Sequence, residues 1–591
     1  MADIRTGEAA SVFRLSRWLG LNESPDGDTG LKPGEAAVLR NFRITREGHL
    51  QIRPGYGEKC TLADGCPVRG MWSGYVKGGF HVLAACAGKV WDIDTAGWTA
   101  VSVGDIDDGA AHFFGFDEKV YILTGSQYYR WDGAQALSAV EGYVPVVVTA
   151  CPPEGGGTAL ERVNLLTGKR RVRFSPDGKA TVFTLPETGI DEVISVEGTD
   201  GGYTLDATAG TITLKTAPAE GVNTLTVTYR KGNGNRERLT GMRFSERYNG
   251  AADTRVFLYG DGSNRAVYSD LDENGRPNAE YFPEHNEMAV DSANTPIAAM
   301  IRHYDRLMVF KTDGAFSVDY KAVTLPDGVV TAGFYTVPVN REIGCQVMGQ
   351  ARLVENSPRT LYNGAVYEWN LSGAGSRDER NARRISDRVE STLSRFQSGA
   401  CMVFDDEPTQ EYYVVCGDEA LIHHYGTDTW YYYNDFPALC MERVEGRLYF
   451  GTPDGRVMQF SHQYRADDGR KVDAYWESGA MDFGADWRRK DSADIWISME
   501  PESQSRVTVT AQSDRRSDHA HKVAAHNLAT LNHVDFGHWS FRTNRKPQVQ
   551  RIRLKVRKFT FYKLIFSSMS AAAAATILGV DIGVRHTGDV K

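Results

Sequence analysis

Residues 447–460 read RLYFGTPDGRVMQF. An apolar run enters a Pro-Asp-Gly turn and a second apolar run leaves it. Pro presets φ and Gly supplies positive φ, so the two runs fold back as an antiparallel hairpin. The same unit recurs at 81–92 (HVLAACAGKVWD), 119–132 (KVYILTGSQYYRWD), 255–268 (RVFLYGDGSNRAVY), 306–320 (RLMVFKTDGAFSVDY), 359–369 (RTLYNGAVYEW) and 412–425 (YYVVCGDEALIHHY). One such hairpin cannot bury its own faces, but repeats that pack on one another can. Seven look-alike units therefore predict the blades of a β-propeller, within an all-β chain.

The units start 38, 136, 51, 53, 53 and 35 residues apart. One interval is out of family. Without residues 143–235 it falls to 43, inside the range of the others. That segment has strands of its own at 170–174, 180–185, 211–215 and 223–229, and a turn at Ser175-Pro176-Asp177-Gly178. It reads as a small β-sandwich inserted into a loop, where insertion costs little because the ends stay close. Farther on, 493–499, 506–511 and 551–561 alternate with period two, the pattern of half-buried antiparallel strands. The expected organisation is an N-terminal extension at 1–60, propeller at 61–142, the inserted sandwich at 143–235, propeller again at 236–464, and a C-terminal β-sandwich at 465–591. Helical periodicity is confined to 385–396, where Ile385, Val389 and Leu393 recur every four residues.

Composition agrees with many short strands and turns: 591 residues hold 60 Gly, 27 Tyr, 25 Phe and 11 Trp. The opening MADIRTGEAASVFRLSRW has charges and no apolar core segment, so no secretory signal is expected. The uncharged run 564–580 (LIFSSMSAAAAATILGV) is shorter than the roughly 20 apolar residues a bilayer-spanning helix needs, and reads as two strands joined by a small-residue loop. None of the eight Cys forms C-x-x-C, and free thiols are expected, although Cys60 and Cys66 are near enough in sequence to bridge. A net charge of −9 argues against a general nucleic-acid binder with a basic surface. It suits a wall along which a phosphate backbone slides without sticking.

Catalytic signatures are missing. There is no phosphate-binding G-x-x-x-x-G-K-[ST], no G-x-S-x-G and no H-E-x-x-H. Asp405, Asp406 and Glu407 form a carboxylate cluster of glycosidase type, but F-D-D-E-P also suits a turn. Residues 270–275 (DLDENG) begin like a calcium loop, yet its twelfth position is Tyr281 rather than a bidentate Glu. His519, His521, His526, His533 and His538 crowd one polar stretch without metal-ligand spacing. No catalytic residue, metal or cofactor is expected. One strand has unusual chemistry: Arg551, Arg553, Lys555 and Arg557 share one face opposite Ile552, Leu554 and Val556. The stripe is a solvated face, a contact for an acidic neighbouring subunit, or a surface turned to DNA.

The N-terminal run carries a resemblance. Gly20-Leu21-Asn22-Glu23-Ser24-Pro25, Leu31-Lys32-Pro33-Gly34-Glu35-Ala36, Leu39-Arg40-Asn41-Phe42-Arg43-Ile44, Gly48-His49-Leu50 and Arg53-Pro54-Gly55-Tyr56 resemble the opening of tailed-phage virion proteins. Residues 255–283, ending Asn278-Ala279-Glu280-Tyr281-Phe282-Pro283, are similar to the tail nozzle or packaged-DNA stabilisation family of short-tailed phages. The resemblance implies a non-enzymatic structural protein of a virion assembled in the host cytoplasm. It implies a homo-oligomeric ring, commonly of six, at neck, nozzle or hub. Such a ring adjoins portal, adaptor or other tail proteins, retains packaged DNA and lets it pass on infection without specific binding or membrane insertion. Two other classes remain from the residues themselves: a carbohydrate-binding or glycan-hydrolysing propeller, and a receptor-binding tail protein with 143–235 as its reading head.

Overall fold

The computed structural model describes residues 11–23, 29–250, 252–324, 330–370, 381–515, 521–528 and 543–590, and the chain is all-β. All seven hairpins form, and each supplies the two central strands of a four-stranded antiparallel sheet. Tight turns set their register. At Asn363-Gly364 both residues have positive φ (47° and 67°), the type I′ geometry that matches strand twist. Asn tolerates that region and Gly enters it without a Cβ penalty.

The described residues divide into two compact units. One draws on positions up to 68, 359–369 and from 382 onward; the other on 69–358 with 370 and 381. In the second unit, the sheet built on Lys119–Leu123 and Tyr128–Trp131 and the sheet built on Val256–Tyr259 and Arg265–Tyr268 share one core, which includes Tyr121, Tyr128, Leu258 and Phe282. The segment 146–230 has a separate core. A five-stranded sheet (Thr158–Ala159, Val146–Cys151, Lys169–Phe174, Leu225–Arg230, Glu192–Glu197) and a three-stranded sheet (Val182–Thr184, Thr211–Leu214, Tyr203–Asp206) bury Val172, Phe174, Phe183, Ile212 and Val227 together.

In the first unit, the chain's beginning is woven into its end. Ser11–Leu15 pairs with Thr576–Asp589, and Glu35–Arg40 pairs with Val472–Ser478. Phe42–Ile44 and Leu50–Ile52 extend the sheet of Thr576–Asp589, Arg488–Met499 and Gln548–Phe559. Trp18 stands edge-on to Trp476 at 5.0 Å, and Trp476 packs on Phe566 at 5.4 Å. Each such pair adds about 0.5–1.5 kcal/mol beyond its burial. The strand Gly55–Thr61 then crosses to another sheet, pairing with Arg456–Ser461 as the fourth strand beside Cys440–Val444 and Arg447–Gly451.

Two expectations shift in detail and a third, two strands over 564–580, is met. Helix at 385–396 shrinks to a 3₁₀ turn, Asp387–Val389, and an α-turn and a half, Glu390–Arg395, with Val389 and Leu393 buried. The strand expected over 551–561 ends at Phe559, past a register irregularity at Lys558 (φ +53°), and the chain reverses into Tyr562–Ser570. The uncharged run 564–580 is split between Tyr562–Ser570 and Thr576–Asp589. Among the described residues no helix is long and apolar enough to cross a membrane.

Candidate functional site

The basic stripe lies on Gln548–Phe559. Arg551, Arg553, Lys555 and Arg557 are exposed, while Ile552, Leu554 and Val556 are buried, as a period-two strand requires. Arg551 is held by Asp494, with Nε and Nη2 at 3.1 and 2.8 Å from its carboxylate oxygens. That hydrogen bond holds the Asp494 carboxyl below its ordinary value, with Arg553 adding to the pull. The stripe is therefore a positively charged ladder with one rung already answered from within.

The motif that carries the family resemblance has a structural task. Arg53 is completely buried. Its Nη1 and Nη2 donate to Asp467 at 2.8 and 2.5 Å, and its Nε donates to Asn41 Oδ1 at 2.8 Å. Nη1 and Nη2 also reach the carbonyls of Pro54 and Asn434, and the guanidinium lies 5.4 Å from the centre of the Tyr433 ring. Asn41, at φ +55°, takes part by donating its side-chain amide to Asn434 Oδ1 and to the Asp473 carbonyl. Gly55 leaves no room for a side chain: a Cβ there would sit 2.1 Å from the Ala466 carbonyl oxygen. Asn41, Arg53, Gly55 and Tyr56 together form a latch that seats the strand Gly55–Thr61.

The second resembling segment, 278–283, also anchors structure. Glu280 is nearly buried and receives Lys119 at 2.9 Å, Tyr121 at 3.2 Å and Arg130 at 2.9 and 2.7 Å. Burial alone would raise its pKa, but the bonds from Arg130 and Lys119 hold it below the ordinary carboxylate range. Asn164, at the base of the 146–230 segment, donates to the Tyr143 and Glu280 carbonyls and accepts from the Phe282 N–H.

The carboxylates at 405–407 do not converge. Asp405 and Asp406 are neighbours on the strand Met402–Asp406, so their side chains point to opposite faces. Asp406 is bound by Arg443 (2.6 and 2.7 Å) and by the Thr409 hydroxyl (2.6 Å). Asp405 lies on the other face near Arg359, where burial pushes its carboxyl up to about 6. Buried Arg359 donates to His423 Nδ1 at 3.0 Å and to Glu368 Oε2 at 2.9 Å, over the rings of Tyr412 and Tyr425. An arginine never accepts, so His423 carries its proton on Nε2 and donates it to Asp428 at 3.0 Å. Both imidazole nitrogens are thus committed to holding neighbours. The turn at 270–275 is likewise closed: Asp270 pairs with Arg255 at 2.7 Å, and Asp272 accepts the Asn274 and Arg276 N–H groups. Trp430, Tyr431 and Tyr433 are buried in the strand Thr429–Tyr433.

Of the histidines singled out by crowding, His519, His533 and His538 lie outside the described residues; His521 is exposed and His526 is buried. Among the described residues no group of three or more His, Cys, Asp or Glu is placed to hold a metal ion. Three other histidines do meet. His49, His424 and His462 line one polar cavity of about 320 Å³ together with Arg43. They come from three distant segments, and no sequence spacing signals them.

No family model and no curated protein sequence matches the chain. Among solved structures, the computationally designed Ika8 protein aligns at 10% identity over 68% of this chain and 99% of its own, with a TM-score of 0.33. Kluyveromyces lactis Hsv2 aligns at 9% identity over 62% and 97%, with a TM-score of 0.24. An exo-β-1,3-galactanase from Phanerochaete chrysosporium aligns at 10% identity over 83% and 97%, with a TM-score of 0.15. Likenesses this faint carry no inference about this chain's activity.

Proposed function

We propose that this chain is a structural subunit of a tailed-phage virion. In this reading its seven four-stranded sheets close as the blades of a propeller, with Gly55–Thr61 sealing the last blade, and copies of the chain assemble into a ring at neck, nozzle or hub. The ring extends the portal channel, holds packaged DNA in and lets it pass on infection. One observation carries the reading: the residues of the family resemblance, Asn41, Arg53, Gly55 and Glu280, are all spent on latching and anchoring strands. Such a motif belongs to a protein selected for rigidity. A net charge of −9 suits a channel wall that does not trap DNA.

Light scattering on the purified chain, alone and mixed with portal-side proteins, tests this. The expected result is a ring of defined stoichiometry or a defined complex with the portal side, visible as annular particles by electron microscopy. A persistent monomer that binds or cleaves glycans would overturn it in favour of a carbohydrate-acting propeller.

A further inference from the structure

The cavity holding His49, His424 and His462 has a polar wall almost throughout: among its thirteen lining residues only Pro408 lacks a polar side-chain atom. One wall is the hairpin of Phe42–Ile44 and Leu50–Ile52; the other is the turn 408–410 with His424 and His462. Arg43 forms its inner end. Its guanidinium stands 3.6 Å from Glu411, a long ion pair. Glu411 accepts from the Tyr431 hydroxyl on one oxygen and from the Tyr413 hydroxyl (2.6 Å) and Thr409 hydroxyl (3.3 Å) on the other. Among the described residues, Arg43 Nε is buried with no hydrogen-bond partner. A buried donor left unmade costs about 1–3 kcal/mol, so this end of the cavity is short of an acceptor.

The imidazoles add donors. His424 Nδ1 accepts the Thr427 N–H at 3.2 Å, which leaves its proton on Nε2. The His462 ring has no hydrogen-bond partner among the described residues. Burial lowers the His424 ring and partial desolvation the His462 ring, which is itself exposed, and the Arg43 charge adds to both, holding them below the ordinary histidine pKa. The carboxylates nearby are Glu411, shielded behind Arg43, and Glu47 and Glu500 in the wall, where His49 lies 4.0 Å from Glu500. Arg46 is the second lining cation, and Arg465 also acts on His462.

We propose that this cavity binds a small oxyanion, a phosphate, sulfate or carboxylate group, on Arg43 with His424 and His462 as supporting donors. The bound anion pairs with the Arg43 guanidinium and offsets the charge that opposes imidazole protonation. Binding is therefore coupled to proton uptake. Glu47 and Glu500 at the wall exclude bulky polyanions and favour a compact head group.

Calorimetric titration of the full chain tests the proposal. Sulfate stays a dianion throughout pH 6 to 8 and is the probe for proton coupling; inorganic phosphate and acetate distinguish the head groups. Sulfate is expected to bind more tightly at pH 6 than at pH 8, by up to about tenfold per pH unit for each proton taken up. The enthalpy should also vary with the buffer's ionisation heat. His462→Gln should keep the fold and flatten the pH dependence, and Arg43→Gln should abolish binding. Should Arg43→Gln fail to fold, His462→Gln and His424→Gln remain decisive. No binding of any probe at 10 mM (roughly 2.7 kcal/mol of free energy) would overturn the proposal. So would binding that all three substitutions leave unchanged, the mark of an adventitious ion only.

Discussion

Replacing Arg53 by Met probes the latch most directly. The substitution keeps volume but removes the two bonds to Asp467, the bond to Asn41 and those to two carbonyls. Five bonds at full value would overshoot, because the stranded carboxylate has an escape. Asp467, 2% exposed, is pushed up in pKa by burial while Arg53 pulls it down. Without Arg53, burial dominates, with Asp435 adding to it and Arg470 opposing it, and the acid takes up a proton. At pH 7 that uptake costs about 1.4 kcal/mol for each unit separating pH from the acid's pKa. Together with the unmade bonds this brings the loss to about 3–5 kcal/mol, the usual result of halving a buried ion pair. The readout is hydrogen exchange of the amides in Gly55–Thr61, normalised to intrinsic rates. Opening should become faster by two to nearly four orders of magnitude at pH 7 (about 1.4 kcal/mol per tenfold). At pH 5 the penalty should shrink by about 2–3 kcal/mol, since protonation is then nearly free. The double variant Arg53→Met, Asp467→Asn should lose much less, with no pH dependence. A loss below about 1 kcal/mol, or one independent of pH, would refute the reasoning.

Glu280 sets a second expectation. Its pKa is depressed in the folded chain, so its contribution is complete above the ordinary value of 4.5 and lost as pH falls below it. Proteolytic nicking at the base of the 146–230 segment should increase below pH 4.5, and Glu280→Gln should show the increase already at pH 7. Cys401 lies one residue beyond the rung Met402↔Val415, opposite Cys416, and the two thiols are within hydrogen-bonding contact. Opposed strand residues lie about 4.5–5.5 Å apart at Cα, inside the disulfide span. Oxidised glutathione should link this pair, releasing two reduced glutathiones, and peptide mapping that finds both thiols intact would exclude the contact. Reversing Arg553, Lys555 and Arg557 to Glu should leave thermal stability within about 0.5 kcal/mol while abolishing salt-sensitive association with an acidic neighbour. Unchanged association would make the stripe a solvated face.

The hairpins were legible because their signal is local. Period-two apolarity and turns such as Asn363-Gly364 act over a dozen residues, and all seven hairpins form where the pattern lies. The fourth strand of the last hairpin's sheet was not legible. Nothing in GYGEKCT, 55–61, names a partner some four hundred residues away. The irregularity before Phe559 was hidden because Lys558 enters positive φ, a region its side chain rarely adopts. Arg53 reads as a surface cation until its burial is known, since arginine is seldom fully buried unless paired. The cavity was invisible for the same reason as the latch: Arg43, His424 and His462 are brought together only by tertiary structure.

The pairing of Ser11–Leu15 with a strand more than five hundred residues later has a temporal consequence. Ser11–Leu15 meets its partner only when Val580–Val584 has been made. At about 5–20 residues per second, a ribosome needs roughly 30–120 s to reach it. For that interval the first strands wait with unsatisfied edges, exposed to chaperones and to one another. A chain truncated ahead of Val580 would leave Ser11–Leu15 without the strand that pairs with it.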